Sequence, residues 1–132
     1  MIGGVWRGEI KGPNGPVLIE FKYTRHPDGT GVVGEGVIDK GSKNAKFVKS
    51  QFGWDPTAKA VYYLDSHDSE TVYFGHLTLD GDKMVFVFSP VGMLPQVFTS
   101  RGRLVDSDTY ESIIRTATGD DLVGFTLKRQ KE

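Results

Sequence analysis

The side chains best suited to chemistry in this sequence are its three histidines, because cysteine is absent and an imidazole titrates near neutral pH. His26 precedes the turn-forming run Pro27-Asp28-Gly29, where a polar side chain normally faces water. His67 stands between Ser66 and Asp68. Neighbouring residues of an extended chain point in opposite directions, so these three cannot form a catalytic relay among themselves. We therefore expect His67 to belong to a hairpin turn.

His76 differs from the other two because it lies inside a strand-like segment that is apolar on both faces. One face carries Val72, Phe74 and Thr78, and the other carries Tyr73, Gly75, Leu77 and Leu79. The alternation therefore does not determine which way His76 points. If it faces the interior, it is the leading candidate for a polar contact with a ligand; the alternative is a histidine on the outer surface.

Arg101 and Arg103 share one face of a later strand, while the other face carries Phe98, Ser100, Gly102 and Leu104. We expect both arginines outside, because burying an unpaired charge is costly. The sequence shows no nucleophile motif, phosphate-binding loop or metal-ligand spacing. It therefore predicts no catalytic residue, no metal site and no cofactor.

Composition indicates one folded domain spanning residues 1–132. At this length a single core is the usual arrangement, and 38% hydrophobic residues with 11% aromatics suffice to pack one. The formal net charge of -1 gives no electrostatic basis for binding nucleic acid. The first residues resemble neither a signal peptide nor a membrane span. We expect a cytoplasmic protein with no nucleic-acid or membrane partner.

Period-two alternation recurs along the whole chain and is interrupted by Gly, Pro, Asn or Asp, which is typical of strands joined by short turns. In the first strand Trp6 shares a face with Gly4, Gly8 and Ile10, opposite Arg7, Glu9 and Lys11. One apolar face per strand indicates an antiparallel sheet covered on one side. Inward glycines favour closure over a sandwich. The fold class predicted is all-β: a single closed antiparallel up-and-down β-barrel of about ten strands.

A barrel of this size can enclose a lumen, which we expect to be apolar and aromatic. The predicted lining consists of Phe21, Tyr23, Phe74, Phe98 and Tyr110, with His76 and Ser100 as polar anchors. The segment from Ser89 to Gln96 is unusually apolar for a loop. Its Val91, Met93 and Leu94 must cover the barrel mouth, a ligand or another subunit. As a lid, it would place Met93 against the contents of the lumen.

Gly4-Val5-Trp6 resembles the Gly-x-Trp signature of lipocalins and related calycin barrels, in which an arginine stacks on the tryptophan. Arg129 has the right parity in the last strand to close the barrel over Trp6. A resemblance covering almost the whole chain is to the bacterial lipocalin-like barrels known as domain of unknown function 1579. It implies a ten-stranded barrel and no established activity. Its pieces are Gly53-Trp54-Asp55-Pro56, Tyr62 to Ser66, Arg101 to Thr109 and Phe125 to Arg129.

The opening stretch Trp6-Arg7-Gly8-Glu9 also resembles nitrobindins, which hold haem through a histidine near the carboxyl end. This chain has no histidine beyond Arg115, so haem binding does not carry over.

Three functions stay open at this stage. The first is a binding module for a small hydrophobic or amphipathic molecule. The second is a cyclase- or isomerase-like enzyme on the same barrel, using His76, Glu35 and Tyr23 for proton transfer. The third is a filled barrel that acts through its outer surface or through a homodimer interface.

Overall fold

The computed structural model describes residues 2–12, 15–68, 71–92 and 96–130. In this part of the chain ten strands follow one another, and each pairs antiparallel with its neighbours in sequence. Pairing of the first strand with the last closes the sheet, in the order β1-β10-β9-β8-β7-β6-β5-β4-β3-β2. The predicted closed up-and-down β-barrel is therefore confirmed. The strands are β1 Val5–Gly12, β2 Gly15–Arg25, β3 Gly31–Ile38, β4 Lys46–Asp55, β5 Ala60–His67, β6 Thr71–Asp80, β7 Lys83–Pro90, β8 Phe98–Asp106, β9 Thr109–Thr116 and β10 Asp121–Gln130.

The register between β1 and its neighbours separates the two faces of the barrel as the alternation predicts. Trp6 lies opposite Phe21 and Arg129, whereas Arg7 lies opposite Glu20. On the inner face Trp6 is fully buried, at 0% exposed. On the outer face Lys40 and Arg7 both donate to Glu20, and these hydrogen bonds lower the pKa of that carboxyl. The same strand therefore contributes to the core on one side and to a solvated charge network on the other.

Inward glycines make room for aromatic rings of the adjacent strands. A side chain at Gly36 would collide with the ring of Phe21, and one at Gly102 would collide with the ring of Tyr110. Each pair is in contact across a ladder or on its diagonal, where a large and a small residue complement each other. These glycines allow bulky rings to lie along the inner wall of a closed barrel.

Arg129 covers Trp6 at one end of the barrel. Its guanidinium carbon lies 4.8 Å from the centre of the indole ring, within the range of a cation–π contact. Nη2 donates to the carbonyl of Ser107 at 2.7 Å, and Nε lies 3.2 Å from Oδ1 of Asp108. Together these contacts fix the turn between β8 and β9 over Trp6. Trp6 itself packs in a core with Ile19, Tyr110 and Leu127.

Adjacent strands run in opposite directions, so the loops gather at two ends. The end at which β1 begins, next to Trp6, is here called the Trp6 end. The end at which β5 finishes, at His67, is the His67 end. Among the described residues, no helix is long and apolar enough to span a membrane.

Candidate functional site

The barrel encloses a cavity of about 450 Å³, a volume within the range of small-molecule binding sites. Its wall is contributed by strands β2 to β10 together with Ile2, and most of the wall is apolar or aromatic. The described lining residues are Ile2, Phe21, Tyr23, Val32, Ile38, Val48, Ser50, Phe52, Val61, Tyr63, Asp65, His67, Leu77, Met84, Phe86, Phe88, Ser100, Tyr110, Ser112, Ile114, Phe125 and Leu127.

Five of these rings form a continuous aromatic belt across β2, β4, β5 and β7: Tyr23, Phe52, Tyr63, Phe86 and Phe88. Their centroids follow one another at 6.2 Å from Tyr23 to Phe52 and 5.2 Å from Phe52 to Tyr63. Tyr63 then lies 5.4 Å from Phe86 and 6.1 Å from Phe88. Most of these contacts are edge-to-face, the geometry that ring quadrupoles favour. The belt gives the lumen a continuous wall of aromatic rings.

A polar cluster interrupts this wall: Ser50, Asp65 and His67. Asp65 and His67 are two residues apart on β5, so both point inward, and Ser50 lies opposite Asp65 on β4. Ser50 Oγ donates to Asp65 Oδ1 at 2.7 Å, and His67 Nε2 lies 2.8 Å from Asp65 Oδ2. Asp65 is only 7% exposed. A carboxylate this deeply buried is tolerated because neighbouring donors satisfy its oxygens.

The cluster defines the hydrogen-bonding role of His67. A carboxylate can only accept hydrogen bonds, so the Nε2 facing Asp65 carries the proton. In the neutral imidazole the other nitrogen, Nδ1, is then an acceptor. The ring also packs edge-on against Tyr73, with centroids 5.2 Å apart. His67 therefore lines the lumen with one nitrogen, Nδ1, that can accept a further hydrogen bond.

Burial keeps the tyrosines of the lumen in the neutral phenol form. It raises the pKa of Tyr63 far above the ordinary value, and the charge of Asp65 and hydrogen bonding with it add to the rise. Burial also raises the pKa of Tyr23, with Coulombic contributions from Tyr110 and Asp65. These phenols therefore stay protonated. The phenol of Tyr63 is engaged with Asp65, and that of Tyr23 can donate a hydrogen bond to a molecule in the cavity.

A second, smaller polar pair lies on the opposite wall. Ser100 Oγ on β8 and Ser112 Oγ on β9 are 2.8 Å apart and both are buried. Because the two hydroxyls bond to each other, they need no further partner to be stable in the apolar wall. Either hydroxyl can still form a hydrogen bond with a ligand atom in place of its bond to the other.

Four of the residues expected to face a ligand line the cavity: Phe21, Tyr23, Ser100 and Tyr110. Phe98 lies at the start of β8 with its ring 5.7 Å from that of Phe88, and so contacts the aromatic belt at its edge. Met93 falls outside the described residues, as do Leu94 and Pro95. Val91, which precedes that segment, is exposed.

Phe74 and His76 lie on the outer face of β6, which corrects the expectation that they line the lumen. Phe74 is 42% exposed, and His76 Nε2 lies 3.0 Å from Asp55 Oδ2 outside the barrel. The register places His76 opposite Tyr62, and Gly75 opposite the inward Tyr63. Because both faces of β6 are apolar, only the pairing of β6 with β5 determined which of its side chains point outward. Glu35, the other proton-transfer candidate, is also on the outside.

Sequence reasoning missed the polar cluster. It tested His67 against its immediate neighbours and not against Asp65 two positions earlier, which is the spacing that brings side chains together on one face of a strand. The Asp-x-His spacing could therefore have been recognised from the sequence. The contribution of Ser50 was not, because it depends on the register of β4 against β5.

The fold and the site together define a ten-stranded up-and-down β-barrel with a mainly apolar lumen and a polar cluster on one wall. No family model matches the chain, and no curated protein matches it. Within the described part of the chain, no group of three or more side chains could hold a metal ion.

Proposed function

We propose that this barrel binds one small, mainly apolar molecule in its lumen, with the polar end of that molecule at the Ser50–Asp65–His67 cluster. The observation that carries the proposal is the cavity of about 450 Å³, whose aromatic wall is interrupted by a buried, hydrogen-bonded acid. Barrels of similar strand number either fill their interior with side chains or hold one ligand. The volume that the side chains leave empty in this barrel favours a bound ligand over a filled interior.

The amphipathic character of the wall supports this choice. Apolar surface around a cavity favours an apolar molecule, because burial of both surfaces removes them from water. A few polar groups then fix its orientation. His67 Nδ1 can accept a hydrogen bond, and the phenol of Tyr23 can donate one. A molecule with one polar end and a hydrophobic body matches this arrangement.

Titration with the neutral apolar dye N-phenylnaphthylamine tests the proposal, since its fluorescence rises in apolar surroundings. We expect saturable binding to one site. Leu77→Trp, which adds bulk to the lumen wall, should weaken binding by about tenfold or more, equivalent to about 1.4 kcal/mol. Val87→Trp places the same indole on the outer face of β7, where Val87 lies beside His76, and should leave binding unchanged.

The competing outcomes are distinct. Binding that Leu77→Trp leaves unchanged and Val87→Trp weakens would place the dye on the outer surface, and the absence of saturable binding would exclude an open lumen. Native mass spectrometry of the freshly purified protein provides a second measurement, because a retained small molecule would add a defined mass.

The orientation of His67 favours a second candidate function, proton transfer on the bound molecule. Nδ1 would take a proton from the carbon next to a carbonyl, and the resulting imidazolium would be stabilised by Asp65. Return of that proton to the γ-carbon would move a double bond into conjugation, so no co-reactant is needed. This replaces His76 and Glu35, which lie outside the barrel, as the proton-transfer groups of an isomerase-like enzyme.

Conversion of a β,γ-unsaturated cyclohexenone to its conjugated isomer, followed by ultraviolet absorbance, tests this candidate. His67→Gln should abolish any turnover, and His76→Gln should not affect it. Turnover that survives His67→Gln would exclude His67 as the proton-transfer group, and no turnover with the wild-type protein would leave binding as the function.

We also propose that the chain belongs to the lipocalin-like barrels and that it is located in the cytoplasm. A homodimer interface is supported by three apolar side chains on the outer faces of β5 to β7: Leu64, Phe74 and Val87, which are 36%, 42% and 47% exposed. Sedimentation would reveal such a dimer directly.

A further inference from the structure

We propose that the lumen selects an organic cation, a hydrophobic amine with its ammonium group near Asp65, over neutral or carboxylate ligands of the same shape. This inference rests on the proposed function, because it names the class of molecule that the lumen would take. It depends on two independent features of the cavity: the balance of charge in its wall and the position of the aromatic belt.

The charge balance of the wall is negative. Among the described residues that line the cavity, Asp65 is the one acid, and no lysine or arginine accompanies it. Ser50 and His67 satisfy its oxygens by hydrogen bonding, and the phenol of Tyr63 also hydrogen-bonds to it. While the imidazole is neutral, these bonds leave the negative charge without a counter-ion. In surroundings of low dielectric such a charge attracts a cation and repels an anion far more strongly than in water.

Hydrogen bonding leaves room for an additional donor. A carboxylate offers about four lone-pair positions on its two oxygens, and Ser50, His67 and Tyr63 occupy three of them. An ammonium group carries three N–H donors and accepts none. It could therefore approach Asp65 directly or donate to Nδ1 of His67. A carboxylate ligand has no proton to offer to either acceptor.

The aromatic belt supports the same class of ligand. Tyr63 lies two residues before Asp65 on the same inner face of β5, and Tyr23 is close enough for Asp65 to raise its pKa. Phe52 packs against both tyrosines. The faces of such rings attract cations when water is excluded. Several ring faces beside one buried carboxylate form the arrangement that recognises alkylammonium groups.

Three ligands with one alkyl chain and different head groups test the proposal: decylamine, decanol and decanoate. Each is titrated at neutral pH, below the concentration at which it forms micelles, into wild-type protein loaded with N-phenylnaphthylamine. At this pH the amine is a cation and the carboxylate an anion. We expect decylamine to displace the dye at about tenfold lower concentration than decanol, equivalent to about 1.4 kcal/mol, and decanoate to be the weakest.

Asp65→Asn keeps the shape of the side chain and removes its charge. We expect the preference for decylamine over decanol to disappear in this variant, with decanol binding changed by less than about threefold, about 0.7 kcal/mol. Asp55→Asn removes the acid of the outer Asp–His pair and should leave the wild-type order of the three ligands unchanged.

The outcomes separate this inference from the proposed function. Decanol that binds as tightly as decylamine, or a preference that survives Asp65→Asn, would overturn the cation proposal and leave lumen binding intact. If none of the three chains displaces the dye, lumen binding itself fails. If Asp65→Asn does not fold, the order in which the three ligands displace the dye from the wild-type protein still tests the cation proposal.

Discussion

The barrel contains two aspartate–histidine pairs that are closely matched in geometry and differ in location. Inside, His67 Nε2 lies 2.8 Å from Asp65, and its ring packs edge-on at 5.2 Å against Tyr73. Outside, His76 Nε2 lies 3.0 Å from Asp55, and its ring packs edge-on at 5.4 Å against Phe74. The local chemistry of the two pairs is therefore nearly the same.

Their surroundings separate them. The side chains of His67 and Asp65 are 26% and 9% exposed, whereas those of His76 and Asp55 are 33% and 29% exposed. Water screens the outer pair, and exposed ion pairs contribute about 0–1 kcal/mol to stability. The inner acid depends on its protein partners for hydrogen bonds, because little water reaches it. Position on the barrel wall, and not residue type, therefore distinguishes a candidate site from a surface contact.

The largest expected difference in stability between substitutions on the inner and outer faces lies on β1. Trp6→Ala should lower the free energy of unfolding by about 3–5 kcal/mol, because it removes a fully buried large aromatic side chain. Arg7→Ala, the adjacent outward residue, should cost about 0–1 kcal/mol, since its ion pair with Glu20 is exposed. Urea unfolding of both variants measures the difference. Equal losses would mean that the faces of β1 are reversed.

Alanine substitutions at the two histidines test the comparison directly. His67→Ala removes a donor from a buried carboxylate and should lower stability by about 1–3 kcal/mol. His76→Ala removes an equivalent contact in water and should cost less than about 1 kcal/mol. Both substitutions remove a similar edge-on ring contact. The difference between the two variants in free energy of unfolding, measured by chemical denaturation, therefore isolates the effect of burial. A larger loss for His76→Ala would contradict the assignment of inner and outer pairs.

Alkaline pH should report on the lumen through its tyrosines. The folded pKa of Tyr23, Tyr63 and Tyr110 is raised, in each case mainly by burial. The folded state therefore holds these protons more tightly than the unfolded state does. Their contribution to stability is complete below about pH 10, the ordinary tyrosine pKa, and is lost as the pH rises above it.

Tyrosinate absorbance at alkaline pH measures this effect. We expect part of the absorbance to appear only together with unfolding, as followed by circular dichroism. Complete ionisation of all five tyrosines in the folded protein would show that the lumen is not shielded from water.

Acid pH should give the smallest effect, on the outer pair. The hydrogen bond from His76 and those from the backbone of the following turn lower the pKa of Asp55. The folded state thus favours its ionised form, so this contribution is present above about pH 4, the ordinary aspartate pKa, and is lost as the pH falls through the folded value. Asp55→Asn should flatten the acid limb of the stability–pH profile slightly. An unchanged limb would indicate that the pair does not form in solution.

Most of the fold was predictable from the sequence because strand alternation is a local property. Arg7 and Trp6 are adjacent in sequence and demand opposite faces, and the turn residues limit where each strand can end. Part of the site was predictable for the same reason: Phe21 and Tyr23 on β2, and Tyr110 on β9, lie on strands with one clearly apolar face. Phe74 and His76 were misplaced because β6 is apolar on both faces, so its own sequence contains no directional signal.

The sequence by itself determined that the chain forms an antiparallel barrel and that Trp6 faces inward, since alternation and turn chemistry act over a few residues. Tertiary structure decided which histidine enters the lumen. The register of β5 against β4 and β6 places Asp65 beside Ser50 and leaves His76 outside with Asp55. Register depends on every strand of the closed sheet at once, because a shift of one residue moves each side chain to the other face.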